Sequence, residues 1–314
     1  YGARAANGVV VVTTKKGKAD TDRTYHINAE MGITSMTRMP EWVNAYEYAN
    51  LYNEACVNDG LAPYYSSEQV EGYRNSSGPY DPLYPDIDWQ KEFMKRNSTY
   101  RKVTFDMDGG SNNVRYALVA GYVGSGGYEN ASYDTSLNRL TLRGNLDFSI
   151  TDFLSVVAGV SGRMEMRKWA QMTCASLFTA ASTYRPNEYP FILSPESTGL
   201  TQSDDVPLFG GSILRPTNVY AEQWYGGYTE ERYTRAQTDF GVRLDLDRWV
   251  KGLSAGAYLS FDNYDFLQLS LNKKYPTYAP GTYTDASGSR IIEYKQLQQI
   301  NVATDQTRNS TTLQ

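Results

Sequence analysis

Apolar and polar residues alternate along six stretches of the chain. In one of them Val103, Phe105 and Met107 take one parity, while Lys102 and Thr104 take the other. A period of two predicts β-strands with one apolar and one polar face. The six stretches are 101–108, 114–123, 138–150, 154–165, 234–247 and 252–261. Looser alternation predicts further strands at 25–31 and 305–314, and residues between 291 and 304 suit either a hairpin within a loop or the start of another strand.

The connections between these strands alternate between short and long. Short turns fall at 109–113, 151–152 and 248–252, and long segments fall near 34–100, 124–136, 167–231 and 267–290. A soluble antiparallel sheet with one wet side is the alternative, but short turns at one rim and long loops at the other are typical of outer-membrane barrels. About eight strands can be counted, whereas plugged transporter barrels have about 22. No apolar run reaches the roughly 18 residues of a transmembrane helix.

The chain opens on YGARAANGVVVVTTKKG, a turn that leads into an unbroken β-branched run. Residues 9–12 are apolar at both parities, so a strand there must be covered on both faces. Asn7 and Gly8 form a turn signal, and Gly17 lets the chain leave the strand. By itself this pattern also suits a buried strand of an α/β protein.

This opening closely resembles the end of the plug domain in SusC/RagA-type TonB-dependent outer-membrane transporters, whose pattern is close to YGSRGANGVILITTKKG. Ala3 and Ala5 depart from the family's Ser and Gly, and both replacements are small. The stretch 41–55 has helical spacing that lets Trp42, Ala45, Ala49 and Tyr52 share one face, and it resembles a helix of the family, as 86–90 resembles the family's DIDWQ turn. The residues that match the plug signature are Gly2, Arg4, Asn7, Gly8 and Gly17.

The resemblance implies an all-β membrane protein, with part of a large antiparallel outer-membrane β-barrel of about 22 strands and the last strand of an N-terminal plug domain. Residues 1–18 would be the C-terminal end of the plug, and 19–314 the N-terminal portion of the barrel. The four long segments would then lie outside the cell. We expect an internal piece of a longer protein, or a truncated open reading frame, from the outer membrane of a Gram-negative bacterium.

The same resemblance implies TonB-dependent active import of oligosaccharides, with no cofactor. The implied partners are a SusD-like surface lipoprotein, the TonB–ExbB–ExbD complex that transmits energy, the imported ligand and outer-membrane lipid. Some members of the family import peptides, which is one alternative. A structural or adhesive barrel without transport is another, and a passive porin is a third that the plug strand argues against.

The composition of the chain narrows the range of possible binding partners. The chain has 314 residues, of which 40% are hydrophobic and 27 are tyrosines, a profile that suits surfaces facing lipid headgroups or sugars. The net charge of −5 comes from 30 basic and 35 acidic residues that are interspersed, so no basic stripe is offered to nucleic acid. Cys56 and Cys174 exclude a disulfide scaffold and a cysteine-based metal cage, and leave one bridge between them open.

The sequence offers little for catalysis. It has no nucleophile elbow and no P-loop, and His26 is its one histidine, so neither a hydrolytic site nor a metal site is predicted. Asp86 and Asp88 flank Ile87, but the other oxygen ligands of a calcium loop are missing. We therefore predict that the protein is not an enzyme.

The segment 167–231 interleaves aromatic residues with Asn, Asp, Glu and Arg. Aromatic rings stack on the C–H faces of sugars while the hydroxyl groups seek polar partners, so this segment is the predicted ligand site. Packing of the rings within the loop is the alternative, and peptides would use the same chemistry. The predicted binding residues are Trp169, Tyr184, Tyr189, Trp224 and Tyr225. Inward charges such as Arg139 and Arg163 are predicted to join plug and wall.

Overall fold

The structure is a computed structural model that describes residues 17–202, 206–284, 290–297 and 303–313. Its strands are β1 (Thr21–Ser35), β2 (Asn97–Gly110), β3 (Val114–Gly126), β4 (Ser136–Ser149), β5 (Leu154–Ala170), β6 (Ile192–Leu193), β7 (Leu208–Gly210), β8 (Gly227–Asp245), β9 (Ser254–Lys274), β10 (Thr277–Thr284), β11 (Arg290–Gln296) and β12 (Ala303–Leu313). Its helices are α1 (Ala45–Asn58), α2 (Ser67–Arg74), α3 (Trp89–Phe93), α4 (Cys174–Thr183), α5 (Pro195–Thr198) and α6 (Val219–Trp224).

The main sheet is antiparallel and has the order β1-β2-β3-β4-β5-β8-β9-β12. All six alternating stretches lie in its strands to within two residues at their ends, and the two looser predictions correspond to β1 and β12. The strand predicted around residues 9–14 lies outside the described residues. Within the described chain, the turns 111–113, 150–153 and 246–253 meet at one end of the sheet, and the long connections meet at the other.

The register of the sheet places its apolar positions side by side. Phe105 pairs with Ala120, Ala120 with Leu142, and Phe240 with Leu259. Leu142 is 46% exposed and Phe240 is 50% exposed, because no described element covers this face. A soluble sheet would bury such a face against a second layer, so this arrangement favours a lipid-facing wall. None of the described helices has the length and apolar character needed to cross a membrane.

The opposite face of the sheet is polar and contains a charged cluster. Glu165 on β5 is 2% exposed and accepts hydrogen bonds from Arg139, Arg163 and Arg167 at 2.7, 2.5 and 2.8 Å. The hydrogen bonds from three guanidinium groups offset the free-energy cost of removing the carboxylate from water. In the described residues, Arg139 thus joins β4 to β5 and Arg163 bonds within β5, whereas the sequence predicted that both join plug and wall.

The long connections pack together at one rim into a unit that we call the cap. Its first connection is 36–96, its second is 171–202 with 206–226, and its third is 275–284 with 290–297. A second, four-stranded sheet of order β11-β10-β7-β6 belongs to it. Tyr294 donates a hydrogen bond to the carbonyl of Pro82 at 3.1 Å, and so joins the third connection to the first. Cys56 and Cys174 are free thiols in the cap. The cap holds most of the buried apolar side chains, including Ile87, Trp89, Phe93, Phe191 and Phe209.

Candidate functional site

The five aromatic residues predicted to bind ligand do not form one surface. Tyr189 is 2% exposed, donates to the Thr217 carbonyl at 3.0 Å and accepts from the Val219 N–H at 3.1 Å. Trp224 packs on the same apolar cluster, and Tyr225 packs on Phe209 in a neighbouring one. Trp169 is half-buried near the end of β5. Four of the five thus lie in packed or strand positions, and Tyr184 alone of them lines the cavity described next.

A cavity of about 550 Å³ lies between the first and second connections of the cap. One wall is the start of α1 with the residues before it, and the other is the end of α4 with the residues after it. The 86–92 turn joins these two walls. The lining residues that matter for binding are Trp42, Tyr48, Asp86, Asp88, Trp89, Lys91, Glu92, Tyr184 and Arg185.

The wall around α1 is set by helix capping. Asn44 accepts from the Glu47 N–H at 2.8 Å, and the Glu47 carboxylate accepts from the Asn44 N–H at 3.1 Å, which completes a capping box. The helix therefore begins at Ala45, and Trp42 precedes it, whereas the sequence placed Trp42 on the helix face. Trp42 is 51% exposed at the cavity, while Ala45 is fully buried.

The DIDWQ turn fixes the two connections against each other. Asp86 accepts from the Ala45 N–H at 2.8 Å at the start of α1, and Asp88 caps α3 by accepting from Lys91 at 3.0 Å. The Ile87 N–H bonds the Pro186 carbonyl at 2.9 Å. Trp89, which is 4% exposed, donates its ring N–H to the Arg185 carbonyl at 3.0 Å. The turn carboxylates thus serve as helix caps.

The second wall carries a buried ion pair. Arg185 bonds both oxygens of Glu188, at 2.9 and 3.0 Å, and Ser212 donates to the same carboxylate at 2.6 Å. Burial acts to raise the pKa of Glu188, but the hydrogen bonds from Arg185 and Ser212 outweigh it and hold that pKa below its usual range. Arg185 is therefore fixed at the cavity edge. Beside it, the Arg215 guanidinium lies 4.6 Å from the centre of the Tyr184 ring.

The cavity thus combines exposed ring faces with fixed hydrogen-bonding groups. Trp42 and Tyr184 offer rings, while Asp88, Lys91 and Glu92 offer acceptors and a cation. This is the mixed surface that sugar rings or peptide side chains require. The sequence pointed to the second connection only. The first connection also carried a sequence signal, the DIDWQ turn. Its hydrogen bonds to residues 185 and 186 could not be predicted from spacing alone.

Of the plug signature, Gly2, Arg4, Asn7 and Gly8 lie outside the described residues. Gly17 lies against the β2–β3 turn, where an added β-carbon would come within 2.7 Å of the Gly109 carbonyl oxygen and would also collide with the Tyr116 backbone. Close backbone approach therefore explains why a glycine stands at this position.

The one histidine has carboxylates beside it that the sequence reading did not foresee. Ligand atoms of His26, Asp106 and Asp108 lie within 4.8 Å of one another, because β1 and β2 pair His26 with Asp106. Both aspartates take part in further interactions, and exposed acidic groups commonly come together without a metal. The cluster therefore carries no metal assignment.

Comparison with known proteins gives the following similarities. No protein-family model matches the chain. It is 29% identical over 162 residues to TonB-dependent receptor P3 of Formosa agariphila, covering 52% of this chain and 14% of the receptor. It is also 29% identical over 157 residues to TonB-dependent receptor P26 of the same organism, covering 49% of this chain and 14% of that receptor.

The solved structures it resembles include the RagAB peptide importer in two states. For the 'closed-closed' state the TM-score is 0.59 at 21% identity, and for the 'open-open' state it is 0.58 at 20% identity. Each match covers 87% of this chain and 31% of the importer chain. The chain thus spans about a seventh of the length of these curated relatives and about a third of the importer chain.

The fold matches that of the RagAB importer chain, and its large antiparallel sheet confirms the predicted all-β class. Together with the two receptors similar in sequence, it confirms the resemblance to SusC/RagA-type TonB-dependent transporters. The relatives are receptors and an importer, not enzymes.

Proposed function

We propose that the chain forms part of a TonB-dependent importer of oligosaccharides in the outer membrane of a Gram-negative bacterium. The observation that carries the proposal is the cavity between the first two connections of the cap. It lies at one rim of the main sheet, and one face of this sheet is apolar and uncovered. In this proposal, residues 1–18 end the plug and 19–314 belong to the barrel. The long connections face outside the cell, where a ligand is first met.

The partners follow from the family resemblance. Energy would come from the TonB–ExbB–ExbD complex, in keeping with the names of the two receptors similar in sequence. A SusD-like surface lipoprotein would cover the cap and share the ligand. Outer-membrane lipid would contact the apolar face of the main sheet.

Import of peptides by the same mechanism is the second candidate. It is supported by the likeness in fold to the RagAB peptide importer. The cavity also has charged groups of both signs, namely Lys91 and Arg185 against Asp88 and Glu92, which suit the termini and side chains of a peptide.

The test compares two exposed tryptophans in the full-length protein. Trp42 is 51% exposed at the cavity, and Trp249 is 67% exposed in the short turn at the opposite rim. Loss of one ring contact costs about 1 kcal/mol, so Trp42→Ala should weaken binding of a panel of defined oligosaccharides about 3- to 10-fold. Trp249→Ala should leave the affinity unchanged. Calorimetry gives the affinities, and a library of defined peptides is measured in parallel.

Uptake completes the test. A fluorescent oligosaccharide that binds should enter cells with TonB and should not enter cells from which TonB has been deleted. Binding of peptides in place of sugars, with the same dependence on Trp42, would favour the second candidate. Ligand uptake without TonB would overturn the proposal of active import, and failure of both ligand classes to bind would favour a structural or adhesive barrel.

A further inference from the structure

The apolar face of the main sheet changes character close to the cap. Two residues beyond Leu140 on β4 the same face carries Asn138, and two residues beyond Met164 on β5 it carries Met166 and then Lys168. The register pairs Asn138 with Met166 and Met166 with Arg232. Residues two apart on a strand share a face, so these polar groups look out on the same side as the apolar band. These polar groups form the border of the apolar band that lies nearest the cap.

A groove of about 340 Å³ runs along this border. Its lining includes Ser136, Asn138, Lys168, Glu230 and Arg232, together with Leu267 and Leu269. We call it the headgroup groove. It combines cations, neutral hydrogen-bond donors and apolar side chains on the outer side of the sheet.

A second groove, of about 520 Å³, lies next to it in the apolar band. Its lining includes Leu140, Leu142 and Met164, each two or more residues further from the cap than the headgroup groove on the same strands. Gly162 is also part of it, and an added β-carbon there would meet nothing within 4 Å. We call it the acyl groove, because most of its lining is apolar and it opens on the lipid-facing side.

The charges of the headgroup groove suit an anion. The Lys168 ammonium is 2.8 Å from Glu230 and lies 4.5 Å from the centre of the Tyr228 ring, so it is held in place. Arg232 is exposed and has no ion-pair partner among the described residues. Asn138 uses its oxygen to accept from Tyr122 at 2.7 Å, which leaves its NH₂ group as a donor. The groove therefore carries one net positive charge and several donors.

We propose that the two grooves together bind one phosphate-bearing lipid of the outer leaflet. An acyl chain would lie in the acyl groove beside Gly162, and a phosphate would accept hydrogen bonds from Arg232, Lys168 and Asn138. Arginine is the side chain best suited to phosphate, because its planar fork donates two parallel hydrogen bonds. The inference goes beyond import and rests on the proposed function only for the placement of the sheet in the outer membrane.

The test uses full-length protein extracted from the outer membrane in mild detergent, with co-purified lipid counted by native mass spectrometry. Lipopolysaccharide from the same strain is then added back, either intact or with its phosphates removed. Arg232→Gln removes the free cation, and Gly162→Leu places a side chain at the acyl groove, where its β-carbon would meet nothing within 4 Å. Arg243→Gln is the matched control, because it lies on the same strand at the opposite parity and lines neither groove.

We expect Arg232→Gln to lower the retained intact lipid at least fivefold, and Gly162→Leu to do the same. Arg243→Gln should retain the wild-type amount, and the dephosphorylated lipid should bind wild type and Arg232→Gln equally. Inorganic phosphate alone should not displace the lipid, since the acyl groove contributes to binding. Equal retention by Arg232→Gln and Arg243→Gln, in protein recovered from the outer membrane, would overturn this inference alone. Absence of all these proteins from the outer membrane would overturn the proposed function as well.

Discussion

Glu222 on α6 is a carboxyl group that the cap holds away from water without a cation. Its partner is Tyr275, which is 8% exposed and donates to one of its oxygens at 2.5 Å. Burial raises the pKa of Glu222, and the hydrogen bond from Tyr275 offsets only part of the effect. The described residues provide no ion pair for this carboxylate, in contrast to Glu188 with Arg185. A neutral side chain would therefore suit this position better at neutral pH.

We predict that Glu222→Gln stabilises the cap at pH 7. A raised pKa means that the folded state binds a proton more readily than the unfolded state. Stability from this group is thus fully present below the unfolded pKa of about 4.3 and is lost as pH rises through the folded pKa. The glutamine keeps the acceptor for Tyr275 but carries no charge, so it avoids this loss.

Hydrogen exchange of the segment 206–226 in the full-length protein provides the measurement. Exchange should be slower in Glu222→Gln than in wild type at pH 7, and the difference in protection should shrink on acidification toward pH 4. The exposed Glu196 supplies the control, because Glu196→Gln should change nothing at either pH. A protection difference that grows on acidification would contradict the sign of the argument.

At the scale of the element, one buried amide links α6 to β7. Asn218 is fully buried, donates to the carbonyls of Phe191 and Gly210 at 3.0 and 2.8 Å, and accepts from the Ala221 N–H at 3.0 Å. The side chain is thus both the cap of a short helix and the hydrogen-bond partner of two neighbouring segments. A helix of this length has little stability of its own, so its position depends on these contacts.

Replacing this amide by a carboxylate should loosen the cap. Asn218→Asp keeps the acceptor for Ala221 but loses both donors, and it sets a buried negative charge against two carbonyl oxygens. We expect a loss of about 2 to 4 kcal/mol, seen as faster proteolysis within 206–226 while the strands of the main sheet stay protected. Asn50→Asp is the control, since Asn50 is exposed on α1 and, in the part of the chain that the structure describes, its side chain donates to the Tyr46 carbonyl alone. Equal proteolysis of the two variants would contradict the role assigned to Asn218.

The sequence predicted the strands far better than the site. Alternation is a local property, so β2, β3, β4, β5, β8 and β9 could be found from the chain itself. The site depends on contacts between distant segments, such as Trp89 with the carbonyl of Arg185, and no pattern in either segment announces them. For the same reason Tyr189 looked like a ligand residue from composition, while tertiary packing places it at 2% exposure. Helix capping by Asn44 could have been read from the sequence, and it would have put Trp42 before the helix.

At the scale of the whole molecule, one alternation phase is kept across the sheet from β1 to β9. Ile27 pairs with Phe105, Leu146 with Ala158, and Val242 with Ala257, so in these pairs apolar side chains meet apolar ones. A slip of one residue in any strand would bring charges such as Arg143 to the apolar face. The pattern therefore specifies the register as well as the strands. It also assigns each residue of the main sheet to the apolar or the polar face.

This assignment of sides makes a sharp prediction for two adjacent residues of β8. Thr238 and Gln237 are both polar and both half-buried, so composition and exposure do not distinguish them. The register places Thr238 between Val160 and Phe261 on the apolar face, and Gln237 between Ser161 and Asp262 on the polar face. An arginine on the lipid face of a barrel costs about 2 to 4 kcal/mol near the middle of the bilayer, whereas the inner face tolerates it.

Thr238→Arg should therefore reduce the amount of folded full-length protein in the outer membrane, and Gln237→Arg should not. The new arginine at 237 would lie opposite Asp262 on the polar face. The two opposite charges attract each other there, and lipid does not remove the arginine from water. Folded and unfolded fractions can be separated by their different mobility in gel electrophoresis before and after heating. If the two variants assemble equally well, the outer side of β8 does not face lipid, and the membrane placement of the sheet must be abandoned. If Gln237→Arg alone is impaired, the two faces of the wall have been assigned the wrong way round.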